Sequence, residues 1–258
     1  MPQLNLTSRL DAFLLTMLVL VVLVLQGCGS GSSSDSAVLT GYYDTGTASV
    51  IGAADIADLQ ALINGDRLMM MSTVNGLLYD GAITDITENS FTANVTVYEN
   101  GENTGSAIAS GTIEGSSIDG TLTGSGFGSG SFNLTYASSN SHVADLSRVE
   151  NTEFYSWRGE GLVSEFDFEI NGEGIVADDN FSGSGSLYDS CEMSGTITPV
   201  SSSNLYSVNV TLRTCENDEE LNGDYTGLAT TIDDSGVDRL VYMISNTAYA
   251  YFGGFYED

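Results

Sequence analysis

The chain has 258 residues, of which 41% are hydrophobic and 9% aromatic, so it can form a packed core in one large or two ordinary domains. Its formal net charge is −29, with 35 acidic residues against 6 basic ones, all of them arginine. This negative charge disfavours nucleic acid and anionic lipid headgroups as partners. Three explanations of the acidic excess are open: it keeps the protein soluble, it suits a salty environment, or it serves to bind cations. The 30 glycines and 2 prolines suit short strands joined by tight turns.

The N-terminal residues have the pattern of an export signal. An apolar run, Phe13–Leu25, is interrupted only by Thr16 and follows a short segment that carries Arg9. A membrane-spanning helix needs about 20 apolar residues, so this run is too short for a transmembrane anchor. Its length is typical of the hydrophobic region of a signal peptide.

The run ends on Leu25-Gln26-Gly27-Cys28, with an apolar residue three positions before the cysteine and a small residue directly before it. These four residues resemble the lipobox of bacterial lipoprotein precursors. The resemblance implies that residues 1–27 are a signal peptide and that Cys28 becomes the acylated first residue of the mature chain, anchored in a membrane by several acyl chains. Gly29, in place of the aspartate that favours inner-membrane retention, implies the outer membrane. The alternative is an ordinary cysteine beside a signal sequence.

Residues 28–37 are small and polar, and they are expected to form a flexible tether. Strand patterns then define a first unit over residues 38–136. Ser90–Tyr98 alternates apolar and polar side chains, which predicts a half-buried strand. Gly111–Gly124 predicts two short strands around a turn, and Gly130–Tyr136 predicts another strand.

One segment of the first unit, Asp55–Ile63, has the spacing of a helix. Ile56, Leu59 and Ile63 would share one face, and Asp55 would cap the first turn. The spacing therefore predicts a short helix, with a strand as the alternative.

Residues 137–149 lack strand periodicity and contain the single histidine, His142, so we place a linker there. A second unit then covers residues 150–258, where residues 206–212 again alternate apolar and polar side chains. Turn signals recur at short spacing through both units. The sequence therefore predicts an all-β chain with two antiparallel units, each a barrel or a sandwich.

The two units echo each other in sequence. Asp66-Arg67-Leu68 followed by Met71 parallels Asp238-Arg239-Leu240 followed by Met243, and residues 41–48 parallel residues 223–229. The matching segments lie near the start of the first unit and near the end of the second. Three explanations are open: permuted copies, one recurring type of hairpin, or coincidence between glycine- and tyrosine-rich strands.

The second unit contains, in order, the segments Ser190–Ile197, Asn204–Val208, Cys215, Gly223–Ala229 and Ile244–Asn246. They resemble the C-terminal part of a family of uncharacterised proteobacterial lipoproteins, in which C-x-x-x-G, N-x-Y-x-V, a cysteine and G-x-Y-x-G-L-A follow one another. The first unit is similar to this family more loosely, through residues 65–68 and 130–136. The family brings no assigned activity, so the resemblance bears on architecture and location.

The chain has three cysteines. If Cys28 is acylated, Cys191 and Cys215 remain as a pair in an oxidising compartment, and a disulfide between them is expected. Two free buried thiols are the alternative. Strict alternation places Cys215 on the wrong face of its strand, because the apolar residues of that strand occupy even positions. We therefore predict a bulge or a strand end near Thr214.

Few residues have a pattern that indicates catalysis. A single histidine argues against a histidine-rich metal site and against histidine-based nucleophilic catalysis, and the absence of lysine excludes a Walker A motif. Glu165, Asp167 and Glu169 alternate with apolar residues, so they would share one strand face. A solvated face is one explanation of these three carboxylates, and a cation-binding site is the other.

These observations favour a non-enzymatic envelope lipoprotein, anchored by acyl chains and without a cofactor, that acts as a binding, interaction or structural module. Its expected partners are the membrane, through Cys28, and an envelope protein or a cation. The alternative is a carrier whose barrel holds a small ligand or a cation. A hydrolase that uses paired carboxylates is a remote third hypothesis.

Overall fold

The computed structural model describes residues 39–47, 49–138, 142–150, 152–156, 167–171, 173–181, 191–215, 219–234 and 237–257. In this part of the chain, strands and short 3-10 turns are the regular elements. The first ten strands are β1 Gly41–Thr45, β2 Ser49–Ile51, β3 Ala54–Ile56, β4 Gln60–Asn64, β5 Arg67–Ser72, β6 Leu77–Ile86, β7 Ser90–Glu99, β8 Glu102–Glu114, β9 Ser117–Thr123 and β10 Gly130–Tyr136. The last eight are β11 Thr152–Ser156, β12 Asp167–Ile170, β13 Ile175–Phe181, β14 Cys191–Pro199, β15 Leu205–Arg213, β16 Gly223–Asp234, β17 Val237–Ser245 and β18 Ala250–Glu257.

The first ten strands form one antiparallel sheet that closes on itself. Its order is β1-β4-β5-β6-β7-β8-β9-β10, and β10 pairs back to β1 with Asp44 opposite Thr135. The short hairpin of β2 and β3 continues the hairpin of β1 and β4, because β2 follows β1 along the same side of β10. When β1 with β2 and β3 with β4 are each counted as one interrupted strand, the result is an up-and-down barrel in which neighbours in space are also neighbours in the chain.

Strands β11 to β18 form a second closed barrel, again in chain order, with Tyr155 of β11 opposite Tyr256 of β18. The all-β prediction with two antiparallel units is therefore confirmed, and both units are barrels. Closure leaves neither sheet with a long unpaired edge among the described strands.

The predicted alternation places apolar side chains inside each barrel. In β7, Phe91, Ala93, Val95 and Val97 are buried while Asn94 is exposed. The even positions 206–212 of β15 are likewise buried. The strands predicted within residues 111–124 and 130–136 are present as the end of β8, β9 and β10.

The helix predicted over Asp55–Ile63 is wrong. This segment forms β3 and β4, separated by a bend. The apolar positions were correctly identified, since Ile56, Leu59 and Ile63 are fully buried. Their spacing is misleading because β4 is buried on both faces: Ile63 points into the barrel core, and Leu62 packs against the second barrel. A strand buried on both faces lacks the alternation by which a strand is recognised.

The two barrels belong to one compact unit and pack through their outer faces. Twelve buried apolar residues form this contact: Tyr42, Leu62, Met69, Met71, Leu78, Tyr98, Leu205, Leu228, Val241, Met243, Ala250 and Phe252. Polar contacts flank it. The Arg67 guanidinium donates to the Asp80 carboxylate, with Nη2 2.7 Å from Oδ2, and to the Thr226 carbonyl at 3.0 Å. Ser245 also donates to Asp80, so this carboxylate links both barrels.

A second set of polar contacts joins two turns, one from each barrel. The Asn103 backbone nitrogen donates to the Ala248 carbonyl at 2.8 Å, and the Ala250 nitrogen donates to the Gly101 carbonyl at 2.8 Å. Tyr98 donates its hydroxyl to the Asn246 carbonyl, and burial raises the pKa of Tyr98 above its ordinary value. The barrels are thus joined by hydrogen bonds as well as by apolar contact.

The described residues of the predicted linker, 137–138 and 142–149, contain no strand and cover one end of the second barrel. Ala144 and Val149 are buried against the barrel core. The Ala144 nitrogen donates to the Ser203 carbonyl at 2.7 Å, and the Tyr206 hydroxyl donates to the Asp145 carbonyl at 2.8 Å. This segment is therefore a cap of the second barrel as well as a connection.

Candidate binding groove

The predicted disulfide between Cys191 and Cys215 is confirmed, with an S–S distance of 2.05 Å. Cys191 is the first residue of β14, and Cys215 lies two residues beyond the end of β15. Between that strand end and Cys215, Thr214 has a φ of 55°, in the left-handed region. This irregularity turns the chain so that Cys215 reaches the buried side, and the prediction of a strand end near Thr214 is confirmed.

The predicted carboxylate cluster lies mostly outside the described part of the chain. Glu165 is outside it, and Asp167 and Glu169 are described only through their backbone, as residues of β12 opposite Tyr155 and Glu153. A cation site at these three residues therefore stays a prediction. Among the described residues, no three His, Cys, Asp or Glu side chains are grouped closely enough to hold a metal ion.

The predicted lipidation site, Cys28, and the segments 1–27 and 28–37 also lie outside the described residues. In the described part, no helix has the length and apolar character needed to cross a membrane. The lipobox and the outer-membrane location stay predictions.

The interior of the first barrel is filled by side chains. Its largest members include Tyr79, Phe91 and Phe132, all of them 3% exposed or less. Tyr79 donates its hydroxyl to the Phe127 carbonyl at 2.7 Å, which ties the core to the 3-10 turn at one end of the barrel. Burial raises the pKa of Tyr79, with a smaller contribution from Glu99, so the hydroxyl keeps its proton.

The second barrel encloses a small apolar cavity of about 40 Å³. The described residues that line it are apolar apart from two tyrosines, and they include Ile170, Met193, Val210 and Ala229. An apolar cavity that accepts benzene is about 150 Å³, so this one has room for little more than a few atoms.

A much larger concavity, about 580 Å³, lies on the outer face of the first barrel across β7, β8, β9 and β10. Two rows of outward side chains border it. The first ladder consists of Ser90, Thr112, Asp119 and Asn133, and the second ladder consists of Thr92, Ser110, Thr121 and Ser131. Residues two apart in a strand are about 7 Å apart, so the ladders run side by side at that distance. We call the space between them the groove.

The floor of the groove is the backbone of a row in which two glycines lie between two phenylalanines. Gly111 faces Phe91, Gly120 faces Phe132, and the two glycines face each other. A Cβ atom on Gly120 would overlap the Phe132 ring, and one on Gly111 would overlap the Phe91 ring. The glycines therefore allow the rings to lie flat beneath the sheet, which supports the floor from inside the barrel.

At one end of the groove, Thr47, which follows β1, borders the lining. The Thr47 nitrogen donates to the Asn133 side-chain oxygen at 2.8 Å, and the Asn133 amide donates to Asp119 at 2.6 Å. The only carboxylate among the described lining residues, Asp119, is thus held by a neutral amide.

Sequence reasoning did not identify the groove. A signal was present, because Ser, Thr, Asn or Asp occupies the outward positions of four successive strands. That signal gains meaning only when the register that aligns these strands is known. Comparison of the chain with protein-family models, curated proteins and solved structures finds no match.

Proposed function

We propose that this chain is an acyl-anchored envelope lipoprotein whose two barrels form a non-enzymatic binding module, with the groove as its binding surface. The observation that carries the proposal is the difference in volume between the groove and the cavity in the second barrel. The groove measures about 580 Å³, within the range of ligand sites, whereas the cavity in the second barrel measures about 40 Å³.

The N-terminal sequence supports the membrane part of the proposal. Cys28, at the end of Leu25-Gln26-Gly27-Cys28, would carry the acyl chains, and Gly29 favours the outer membrane. The first described residue, Leu39, lies eleven positions after Cys28 in the sequence. A chain of that length spans at most about 40 Å, so the tether would hold the barrels close to the membrane surface.

The chemistry of the groove supports a binding role over a catalytic one. Hydrolysis by paired carboxylates needs two carboxyl groups about 5–10 Å apart across the substrate. The described lining of the groove supplies one, Asp119, and its Oδ1 accepts a hydrogen bond from Asn133.

Two experiments test the proposal. In the first, Cys28→Ala should abolish incorporation of labelled palmitate and release the protein from membranes, and a variant that still incorporates label would refute the anchor. In the second, a photo-crosslinking amino acid replaces Thr112 in the groove or, as a control, the exposed Asn209 on the second barrel. Crosslinked products in intact envelopes are expected from the groove position. Equal products from both positions, or none, would refute the groove as the binding surface.

A second candidate function is the transport of an apolar ligand of only a few atoms, because the cavity of the second barrel measures about 40 Å³. It is favoured by the closed second barrel and its apolar lining. Replacing Ala229 by Leu would fill the cavity, so a carrier should lose its ligand in native mass spectrometry. An unchanged spectrum would count against transport in this cavity.

A further inference from the structure

We infer that the groove binds a neutral, hydroxyl-rich ligand, a short oligosaccharide. This inference rests on the proposed function, since it names the ligand of the same surface. It depends on the hydrogen-bonding groups of the two ladders, on the charge of the chain and on the closure of the barrel.

Several hydroxyls of the ladders are available to a ligand, whereas the hydroxyl of Ser90 pairs with that of Thr87 at 2.8 Å. Within the described residues, those of Thr112, Thr121 and Ser131 make no side-chain hydrogen bond. Each hydroxyl donates one hydrogen bond and accepts two. The second ladder is a row of four hydroxyls, and the first ladder faces it with the Thr112 hydroxyl and the Asp119–Asn133 pair. These groups match a molecule that itself carries hydroxyls on both edges, as a sugar chain does.

Charge argues against ionic ligands. The formal net charge of −29 repels polyanions such as phosphorylated glycans. A polycation would be expected to meet several carboxylates, whereas the described lining of the groove contains only Asp119. A neutral ligand is not repelled by the negative charge and needs no cluster of carboxylates. The Asp119–Asn133 pair offers such a ligand a hydrogen-bond acceptor and an amide in a fixed position.

Barrel closure argues against an extended peptide. Peptides commonly bind by adding a strand to an exposed sheet edge. Strands β7, β8 and β9 are paired on both sides, and β10 is paired with β9 on one side and with β1 and β2 on the other. Recognition at the groove must therefore use side chains, and those are predominantly hydroxyls.

The size of the groove limits the length of the ligand. Neighbouring strands lie about 4.8 Å apart, so four strands give a groove about 14 Å long. The ladders stand about 7 Å apart, which admits one sugar chain lying across the strands.

The inference is tested with three neutral trisaccharides, cellotriose, maltotriose and chitotriose, titrated into the full chain in detergent and followed by calorimetry. At least one should bind the wild type. The variant Thr92→Val/Thr112→Val/Thr121→Val removes three hydroxyls while keeping the shape of each side chain, and it should weaken binding at least tenfold. The matched control is Thr123→Val, an exposed threonine two residues from Thr121 that is outside the groove lining, and it should bind as the wild type does.

If the triple variant does not fold, Ser110→Ala/Ser131→Ala tests the second ladder with smaller changes and should weaken binding at least threefold. Absence of binding by all three trisaccharides overturns the inference, as does unchanged affinity in the folded variants. If the photo-crosslinker at Thr112 nevertheless captures a protein, the ligand class is wrong while the binding function stands. If both experiments fail, the proposed function fails with the inference.

Discussion

Loss of the disulfide should lower the stability of the protein by an amount that can be worked out from its position. Cys191 and Cys215 are separated by 24 residues, and their bond closes that loop in the unfolded chain. The chain-entropy model then gives a stabilisation of about 3.5 kcal/mol. For a chain of this size about 1 kcal/mol shifts the melting temperature by about 2–4 °C, so we expect a fall of about 7–14 °C.

The assay compares the oxidised wild type with the same protein refolded and kept in reductant, by denaturant unfolding followed by circular dichroism. The denaturant midpoint should fall, and the slope of the transition should rise because the unfolded chain is less compact without the crosslink. This comparison keeps both sulfur atoms in the core. The variant Cys191→Ala/Cys215→Ala should lose about 1 kcal/mol more, since both side chains are at most 2% exposed and their removal leaves cavities.

Equal midpoints for the oxidised and reduced protein would refute the loop-closure argument. A control for reductant effects is the double alanine variant itself, whose midpoint should be the same with and without reductant.

Three further predictions concern the interface, the groove floor and a buried tyrosine. Asp80→Asn should cost about 1–3 kcal/mol, measured by denaturant unfolding, because the Arg67 guanidinium and a hydroxyl of the second barrel both donate to this carboxylate. Gly120→Ala should cost about 1–3 kcal/mol through overlap with a core ring, whereas Gly253→Ala, whose Cβ would meet its nearest neighbour at 3.6 Å, should be nearly neutral in the same assay. Burial, followed by repulsion from a neighbouring tyrosine, raises the pKa of Tyr43 to about 12 from 10.0. The stabilisation from burying the neutral Tyr43 side chain is therefore present below pH 10.0 and is lost as the pH rises from 10.0 to about 12. The variant Tyr43→Phe should lose less stability over this pH range, as measured by tyrosinate absorbance and circular dichroism.

Local patterns in the sequence predict the features that depend on neighbouring residues. The alternation in residues 90–98 predicts β7, and the parity of Cys215 against its strand predicts a bulge or a strand end near Thr214, where the structure has a strand end followed by a left-handed residue. Each of these needs only one strand and its inside and outside faces. The pairing of Cys191 with Cys215 also follows from the sequence, because these two cysteines remain if Cys28 is acylated.

Features that depend on distant pairing are beyond local patterns. Closure of the first barrel depends on Asp44 meeting Thr135, and the groove depends on the alignment of Thr92, Ser110 and Thr121 in three successive strands. The error at residues 55–63 has the same origin. Leu62 is apolar because of a contact with the second barrel, and a single strand carries no signal that such a partner exists.

The sequence echo between the two units gains a physical explanation from the interface. Aligning Arg67 with Arg239 places Met69 and Met71 of β5 on Val241 and Met243 of β17, and all four of these apolar residues are buried where the barrels meet. The next strands, β6 after β5 and β18 after β17, also correspond in position. Met69 faces Asp80 of β6, and its counterpart Val241 faces Gly254 of β18.

The two arginines reach the same place in their respective hairpins. Arg67 donates to Asp80, and the guanidinium of Arg239 lies where a Cβ atom on Gly254 would be. In the order of strands around each barrel, β5 is the third strand of the first barrel and β17 is the seventh strand of the second. A simple duplication of one barrel would therefore not place β5 and β17 at equivalent positions. The matched residues meet the same requirement, which is two outward apolar side chains beside an arginine. A recurring interface hairpin therefore accounts for the Asp-Arg-Leu part of the echo without a permutation of whole units.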